Sequence, residues 1–512
     1  MKTPILGSTY VARSVNAANA RMVNLFPEMV PEGGKEPAFL NRAPGMSLLA
    51  AIGTGPIRGL WAFSNDVNFA FVVSGNSLYK ITSAYVPTLL GTIAGTGPVS
   101  MADNGTQLFI AANGPSYIYN NSTNTFAAIT DPDFPGAVTV GYLDGYFVFN
   151  EPDSQKIWVT ALLDGTSVDP LDFASAEGSP DGVVGLIVDH REVWVYGTNS
   201  VEVWYDVGGV DFPLQRIQGA FNELGCAAPY SIAKMDNGLF WLGQDARGQG
   251  IVYRANGYTG QRISTHAVEW HIQQYGSLAN AIGYTYQQDG HSFYVLIFPN
   301  ANTTWVYDVA TQAWHERAGW ADGAFTRHRS NCQMFFNNKV IVGDYQNGNI
   351  YAFNLDDFSD NNAIQRWLRT WRALPTGDNN LKRTAQHTMQ IDLESGTGLN
   401  GLVQTEDIYL MTENDEYLTT ENDEHLIAEQ TAPATQGSDP QLMLRWSDDG
   451  GHTWSNEHWA PMGKIGEYYK RVFFRRLGMT LKLRDRVYEL SGTDPVKIAI
   501  MGAELQISGT NA

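Results

Sequence analysis

The stretch REVWVYGTNSVEVWYDV, residues 191–207, decides the fold. Val193, Val195 and Gly197 alternate with Trp194 and Tyr196, and Gly-Thr-Asn-Ser then turns the chain into a second alternating run, Val201, Val203 and Tyr205 against Glu202 and Trp204. Apolar and aromatic residues at period two, interrupted by turn formers, read as two strands of an antiparallel hairpin.

Working outward, the second half of that hairpin repeats. Short strands with an aromatic mark recur in NSLYKIT at Tyr79, PSYIYN at Tyr119, QKIWVTAL at Trp158, VEVWYDV at Trp204, GIVYRANG at Tyr253, TTWVYDVATQAW at Tyr307 and GNIYAFN at Tyr351. Successive marks are 40, 39, 46, 49, 54 and 44 residues apart, the length of one four-stranded propeller blade. The first half repeats too, as NFAFVVSG, TQLFIAANG, GYFVFN, REVWVYG, GLFWLG, HSFYVLIF and NKVIVGD, each followed by Gly, Asn or Asp. A twisted sheet has two apolar faces, and radial stacking buries both while leaving short edges. The expectation is an all-β chain with a β-propeller of about seven blades; the alternative is a generic array of β-sandwiches.

Composition agrees. The 512 residues are 43% hydrophobic, 12% aromatic and 17% charged, with 51 glycines and 22 prolines spread along the chain, which excludes a disordered protein and favours many turns. A net charge of −20 excludes a surface that as a whole grips nucleic acid, because gripping requires cations that displace counterions from phosphates. Acidity suits solubility, or a conduit that DNA passes without sticking. Two cysteines, Cys226 and Cys332, form no disulfide framework and no zinc spacing. The N-terminus lacks an apolar stretch of signal-peptide length, and no run is long enough to span a bilayer, so the expectation is assembly in a reducing cytoplasm with no membrane insertion.

After Phe353 the rhythm breaks at LDDFSDNNAIQRWLRTWRALPTGDNNLKRT. The expected organisation is an N-terminal segment, 1–54, closing onto the fold; a propeller, 55–358; and a smaller, sandwich-like β domain, 359–512, with a hairpin insert at 405–430. The insert holds the duplication YLMTENDE and YLTTENDE, residues 409–424, whose Glu413, Asp415, Glu416, Glu421, Asp423 and Glu424 read as solvated turns rather than a calcium loop, since their spacing matches no EF-hand or nonapeptide repeat. Arg366, Trp367, Arg369, Trp371 and Arg372 are candidate interface anchors, as Trp and Arg are enriched where interfaces hold energy. A basic stripe, Lys464, Lys470, Arg471, Arg475, Arg476, Lys482, Arg484 and Arg486, is a candidate docking surface for an acidic partner subunit or for the acidic flank of a neighbouring copy. Within it, strand alternation is expected to set Lys482, Arg484 and Arg486 on one face and Leu481, Leu483 and Val487 on the other. Ser447, Asp449, Gly451, Thr453 and Trp454 fit the S-x-D-x-G-x-T-W pattern of the Asp box, a hairpin turn with a structural role. His266 and His271, in STHAVEWH, read as a strand end at the surface. No catalytic motif and no cofactor or metal signature is found. A glycan-acting, sialidase-like propeller enzyme or a receptor-binding tail module are the alternatives.

MVNLFPEMV (22–30), RAPGM (42–46), SAEGSPDGVVGLIVDHREVWVYGTNSVEVWYDVGG (175–209), GCAAPYSIAKMDNGLFWLG (225–243), RWSDDGGHTW (445–454), YYKRVFFRRLGMTLKLRDRVYELSG (468–492) and GAELQI (502–507) resemble the packaged-DNA stabilisation, or tail hub and nozzle, proteins of short-tailed bacteriophages. The resemblance extends over most of the chain and implies no active site. It implies a structural protein of the virion tail that forms a homo-hexameric ring beneath portal and head-to-tail adaptor, retains packaged DNA, lets the double strand pass at ejection, and supports a tail needle, spike or fibre.

Overall fold

The computed structural model describes residues 1–176, 178–209, 212–375, 383–400, 408–409, 418, 420–421, 427–428, 436–481 and 486–509. The chain divides into two compact units, Gly7–Met29 with Ala43–Arg366, and Met1–Leu6 with Val30–Arg42 and Trp367–Ala512. The N-terminal segment is therefore shared between the units, and the division after the blades falls at Arg366.

The larger unit is a propeller. Blade 1 is built from Ile57–Ala62, Phe69–Ser74, Ser77–Thr82 and Pro87–Thr92, each antiparallel to the next. Blades 2 to 6 repeat this plan over 100–128, 140–175, 183–222, 233–262 and 282–316. Blade 7 takes three strands from 330–354 and its outer strand, Gly45–Ala51, from the other end of the chain, antiparallel to Asn349–Asn354. Gly45 is required there, since a Cβ would stand 2.4 Å from the carbonyl oxygen of Asp357. Among the described residues the blade count is thus seven.

The aromatic marks all fall on third strands, and the seven flanking runs all fall on second strands. Burial explains the regularity. Along the second strand of blade 1, Phe71 and Val73 enter a cluster with Leu108, Ile110 and Tyr119 of blade 2, while Ala70 and Val72 enter one with Met334, Ile341 and Ile350 of blade 7. Five further clusters fill the remaining gaps between neighbouring blades, so period-two alternation feeds apolar side chains to both faces of every sheet. Each mark packs towards the preceding blade: the Tyr119 ring lies 4.9 Å from Phe71, tilted by 59°, and Trp204 joins Val148 and Val159.

The inner-to-second turns of blades 3 to 7 are two residues long, at Asp144-Gly145, His190-Arg191, Asp236-Asn237, Asp289-Gly290 and Asn337-Asn338, all at positive φ. That is the type I′ geometry whose twist matches paired strands. One segment departs from expectation. His266–Gln273 is an α-helix rather than a strand end, started by Thr265, whose hydroxyl accepts from the Val268 amide. His266 is exposed, whereas His271 is half-buried, and burial lowers its pKa.

The smaller unit holds two antiparallel sheets. In one, Ala499–Gly509 pairs with Thr384–Leu393, with Ala38–Arg42 and with Lys2–Thr3, and Val472–Arg475 adds to the edge. In the other, the order is Trp367–Arg372, Val487–Gly492, Gln441–Ser447 and His458–Pro461. This is the β-sandwich expected after the blades. Within the 405–430 insert, Ile408–Tyr409 pairs with Ile427–Ala428. The acidic duplication lies largely outside the described residues; Glu421, which is described, is exposed.

Candidate assembly surfaces

The inner strands of the blades surround a channel of about 550 Å³, lined among others by Arg58, Trp61, Asp103, Tyr230, Lys234 and Cys332. Arg58 and Asp103 are pinned. The Arg58 guanidinium donates to the carbonyl oxygens of Gly97 (2.6 Å), Gly75 (2.9 Å) and Ala94 (2.9 Å). The Asp103 carboxylate accepts from Trp61 Nε1 (2.7 Å), the Gly105 amide (3.0 Å) and the Ser64 hydroxyl. Burial pushes the Tyr230 hydroxyl and the Cys332 thiol up to about 12, so both stay neutral near pH 7. Most glycosidases hydrolyse their bond with two carboxyl groups facing one another, and sialidases use a tyrosine nucleophile in place of one. Among the described residues lining this channel, Asp103 is the one carboxylate, and it is fully engaged.

The tryptophan and arginine anchors expected at a surface are largely interior. Trp367, Arg369 and Trp371 are buried on the strand Trp367–Arg372. Arg369 Nε donates to the Ile5 carbonyl at 2.6 Å, Trp371 Nε1 to Thr3 Oγ1 at 3.0 Å, and the Trp371 ring lies 5.9 Å from Tyr488. Burial lowers the Arg369 pKa to about 10, still leaving it charged at neutral pH. Arg369 and Trp371 join the unit's N-terminal and C-terminal pieces, and all three side chains are buried, with little surface to offer a partner. Arg366, whose guanidinium lies 4.7 Å over the Trp320 ring, and Arg372 are half-buried.

The basic stripe separates into parts. Arg486 is buried, paired bidentately with Asp448 at 2.7 and 2.9 Å, and donates to the carbonyls of Leu477 (2.6 Å) and Met479 (3.2 Å). It is a structural cation, and the expected alternation fails at the described ends: Leu481 is exposed while Arg486 and Val487 are both buried. Lys482 and Arg484 lie outside the described residues. Lys464, Arg471, Arg475 and Arg476 are exposed and Lys470 half-buried, so a basic surface remains over 464–476. Sequence reading missed what accompanies it. Ile465, Tyr468 and Tyr469 are exposed on the same loop, and Tyr468 to Arg471 line a groove of about 650 Å³ together with Lys2, Lys35, Asp392 and Glu504. The adjacent tyrosines beside Lys-Arg were the signal available.

At the Asp box, Ser447 Oγ donates to Asp449 Oδ1 at 2.6 Å and accepts the Gly451 amide at 2.7 Å. The Asp449 carboxylate also accepts the amides of His452 (2.9 Å) and Thr453 (2.9 Å) and the Thr453 hydroxyl (2.6 Å). Gly450 and Gly451 take φ of 81° and 110°. The Ser447 hydroxyl, then the Thr453 side chain and amide, hold the Asp449 pKa well below the ordinary carboxylate range. The Trp454 ring lies under the Arg445 guanidinium at 4.9 Å. The Ser447 hydroxyl, the Asp449 carboxylate and the Thr453 hydroxyl all bond within the turn, and Asp448 is taken by Arg486, which makes the turn a clasp. Among the described residues, no group of three or more His, Cys, Asp or Glu is placed to bind a metal, and no helix is long and apolar enough to cross a membrane.

Comparison with known proteins matches residues 1–357 to the family model described as bacteriophage P22 Gp10, beta-propeller, and residues 408–508 to bacteriophage P22 Gp10, beta-sandwich. No curated protein matches the sequence. Among solved structures, the chain is similar to the Pan2 WD40 domain of Neurospora crassa, at 9% identity and a TM-score of 0.42 over 61% of this chain and 96% of that one. It is similar as well to virginiamycin B lyase from Staphylococcus aureus, at 12% identity and a TM-score of 0.41 over 60% and 97%.

Proposed function

The chain belongs to the bacteriophage P22 Gp10 family, and from that membership we propose that this structural phage tail protein forms a hexameric hub or nozzle ring below portal and adaptor. The observation that carries the reading is the family match over residues 1–357, continued by a second match over 408–508. In the ring the propeller serves as a stiff wall. Seven interblade cores and a blade closed by strands some three hundred positions apart in sequence resist bending better than an open sheet, whose edge can fray. The same ring retains packaged DNA, gives it passage at ejection, and offers the adaptor above and a needle, spike or fibre below their attachment points. Assembly takes place in the host cytoplasm. A chain of net charge −20 suits a passage that phosphates do not stick to, since few counterions are released on contact.

Electron microscopy of tails bearing this protein tests the proposal. The expected image is a ring of six copies around the channel axis. A peripheral trimer, or single copies distant from the axis, would overturn it.

A further inference from the structure

The blades expose their large apolar side chains on one side. Between Ile57 and Asn354, eleven such side chains are exposed among the described residues, and nine lie in, or within two residues of, a connection from inner to second strand or from third to outer strand. In an antiparallel blade successive strands reverse direction, so those two kinds of connection emerge on one face and the remaining kinds on the other. Val67 of blade 1 (82% exposed) and Leu171 of blade 3 (78%) are the most open; Leu162 and Leu163 flank the Asp144-Gly145 turn, where the Leu163 amide donates to the Gly145 carbonyl at 2.7 Å. Leu163 holds a φ of 61°, a conformation that costs a bulky L-residue about 1–2 kcal/mol, yet its side chain meets water. Apolar groups concentrated on one face in this way mark a docking surface.

That face is acidic. The connection 160–172 carries Asp164, Asp169 and Asp172 and no basic residue, and Arg191, the one arginine among the inner-to-second turns, is paired with Asp144 at 2.7 Å. Its occupant should therefore combine apolar surface with positive charge. The smaller unit of the same chain presents such a surface in KIGEYYKR, residues 464–471, with Tyr468 75% and Tyr469 85% exposed, three basic residues and one acidic.

We propose that the acidic, apolar turn face of the propeller in one copy docks the aromatic, basic 464–471 loop of a second copy. The two patches differ, so the contact is head-to-tail, the kind that propagates around a ring until rotation closes it. Charge complementarity sets its register and tyrosine burial supplies most of its strength. This contact rests on the ring reading above and names the subunit interface within it.

Disulfide trapping in concentrated, full-length protein tests the proposal. Native Cys226 is buried and Cys332 half-buried, their thiols are pushed up by burial to about 11 and about 12, and the unsubstituted protein gives their background rate. Leu163→Cys protein mixed with Tyr469→Cys protein should form a linked dimer about tenfold faster than Arg247→Cys mixed with Tyr469→Cys, because docking raises the local thiol concentration only in the first pair. Arg247 is exposed in a second-to-third turn, on the opposite face. Salt and the double substitution Lys470→Glu with Arg471→Glu should each reduce the advantage. Equal rates in the two mixtures overturn the proposed contact. Electron microscopy of the same samples separates the two readings: rings without preferential linkage reject this contact alone, whereas concentrated protein with neither rings nor linkage counts against both.

Discussion

The propeller and the smaller unit use tryptophan and arginine differently. In the blades an aromatic recurs at one strand position seven times and meets the same surroundings each time, a gap filled by the preceding blade. In the smaller unit Trp367, Arg369 and Trp371 share one short strand, and Arg369 Nε and Trp371 Nε1 donate to Ile5 and Thr3, more than three hundred residues away. Repetition makes burial predictable in the first case; in the second, burial depends on a partner that no local pattern announces.

The sharpest way to break this contrast is to remove the distant partner. A fragment of residues 367–512 lacks Ile5, Leu40 and Arg42, all buried, the last donating to the Val496 carbonyl at 2.9 Å. It lacks Lys2–Thr3 and Ala38–Arg42 as strands too, leaving a row of unpaired backbone groups along Ala499–Gly509. The expected outcome is loss of cooperative folding, read as a flat near-ultraviolet circular dichroism spectrum and no urea transition. A fragment that unfolds at the same urea concentration as the smaller unit of the full chain would show that the N-terminal pieces are ornaments.

Legibility follows from the same physics. Period-two strands, their marks and the Gly, Asn and Asp turns were readable because each is local, and blade number followed from their spacing. Gly45–Ala51 as the closing strand was not readable, since its partner Asn349–Asn354 lies at the far end of the propeller sequence. WLRTWR looked like a surface because arginine usually is one. It is a strand buried along nearly its whole length, in which a backbone carbonyl replaces water around Arg369 Nε. Arg486 misled for a similar reason, as Asp448 and two carbonyls enclose it. The helix at His266–Gln273 was hidden because one eight-residue apolar pattern serves a strand end or a short helix equally well.

A smaller effect sharpens the distinction between interior and surface within the smaller unit. Trp371→Ala should cost about 3–5 kcal/mol of stability, the range for deleting a buried aromatic, while Arg475→Glu should change it by no more than about 0.5 kcal/mol. Urea unfolding of both variants reads the difference directly. Equal, small effects would return Trp371 to the surface where sequence reasoning had put it.

In the propeller the corresponding probe is backbone conformation. Asn337 and Asn338 turn blade 7 at φ of 51° and 55°. Asn338→Ala should destabilise by about 1 kcal/mol, because alanine lacks the local hydrogen bonding that lets asparagine tolerate left-handed geometry, and Asn338→Gly should be neutral or slightly stabilising. A thermal midpoint unchanged by alanine would mean that the turn relaxes without consequence to the blade.

The smallest effect belongs to the Asp449 clasp and has a definite sign. Its carboxyl titrates well below the ordinary value of 3.8 because the Ser447 hydroxyl, with the Thr453 hydroxyl and amide, favours the charged form. A depressed folded-state pKa contributes stability that is present above the unfolded pKa and is lost as pH falls through the folded value. Wild type should therefore lose part of its stability on acidification below about pH 4, and Asp449→Asn should lose less over the same interval while starting lower at neutral pH. Parallel urea midpoints for the two proteins down to about pH 2 would mean that the clasp is equally strong when protonated. Since Asp449 is solvent-accessible, the difference should be modest beside that of Trp371→Ala. That ordering is the contrast between the units in miniature: a motif legible from eight adjacent residues contributes less to holding this unit together than a tryptophan whose partner lies at the other end of the chain.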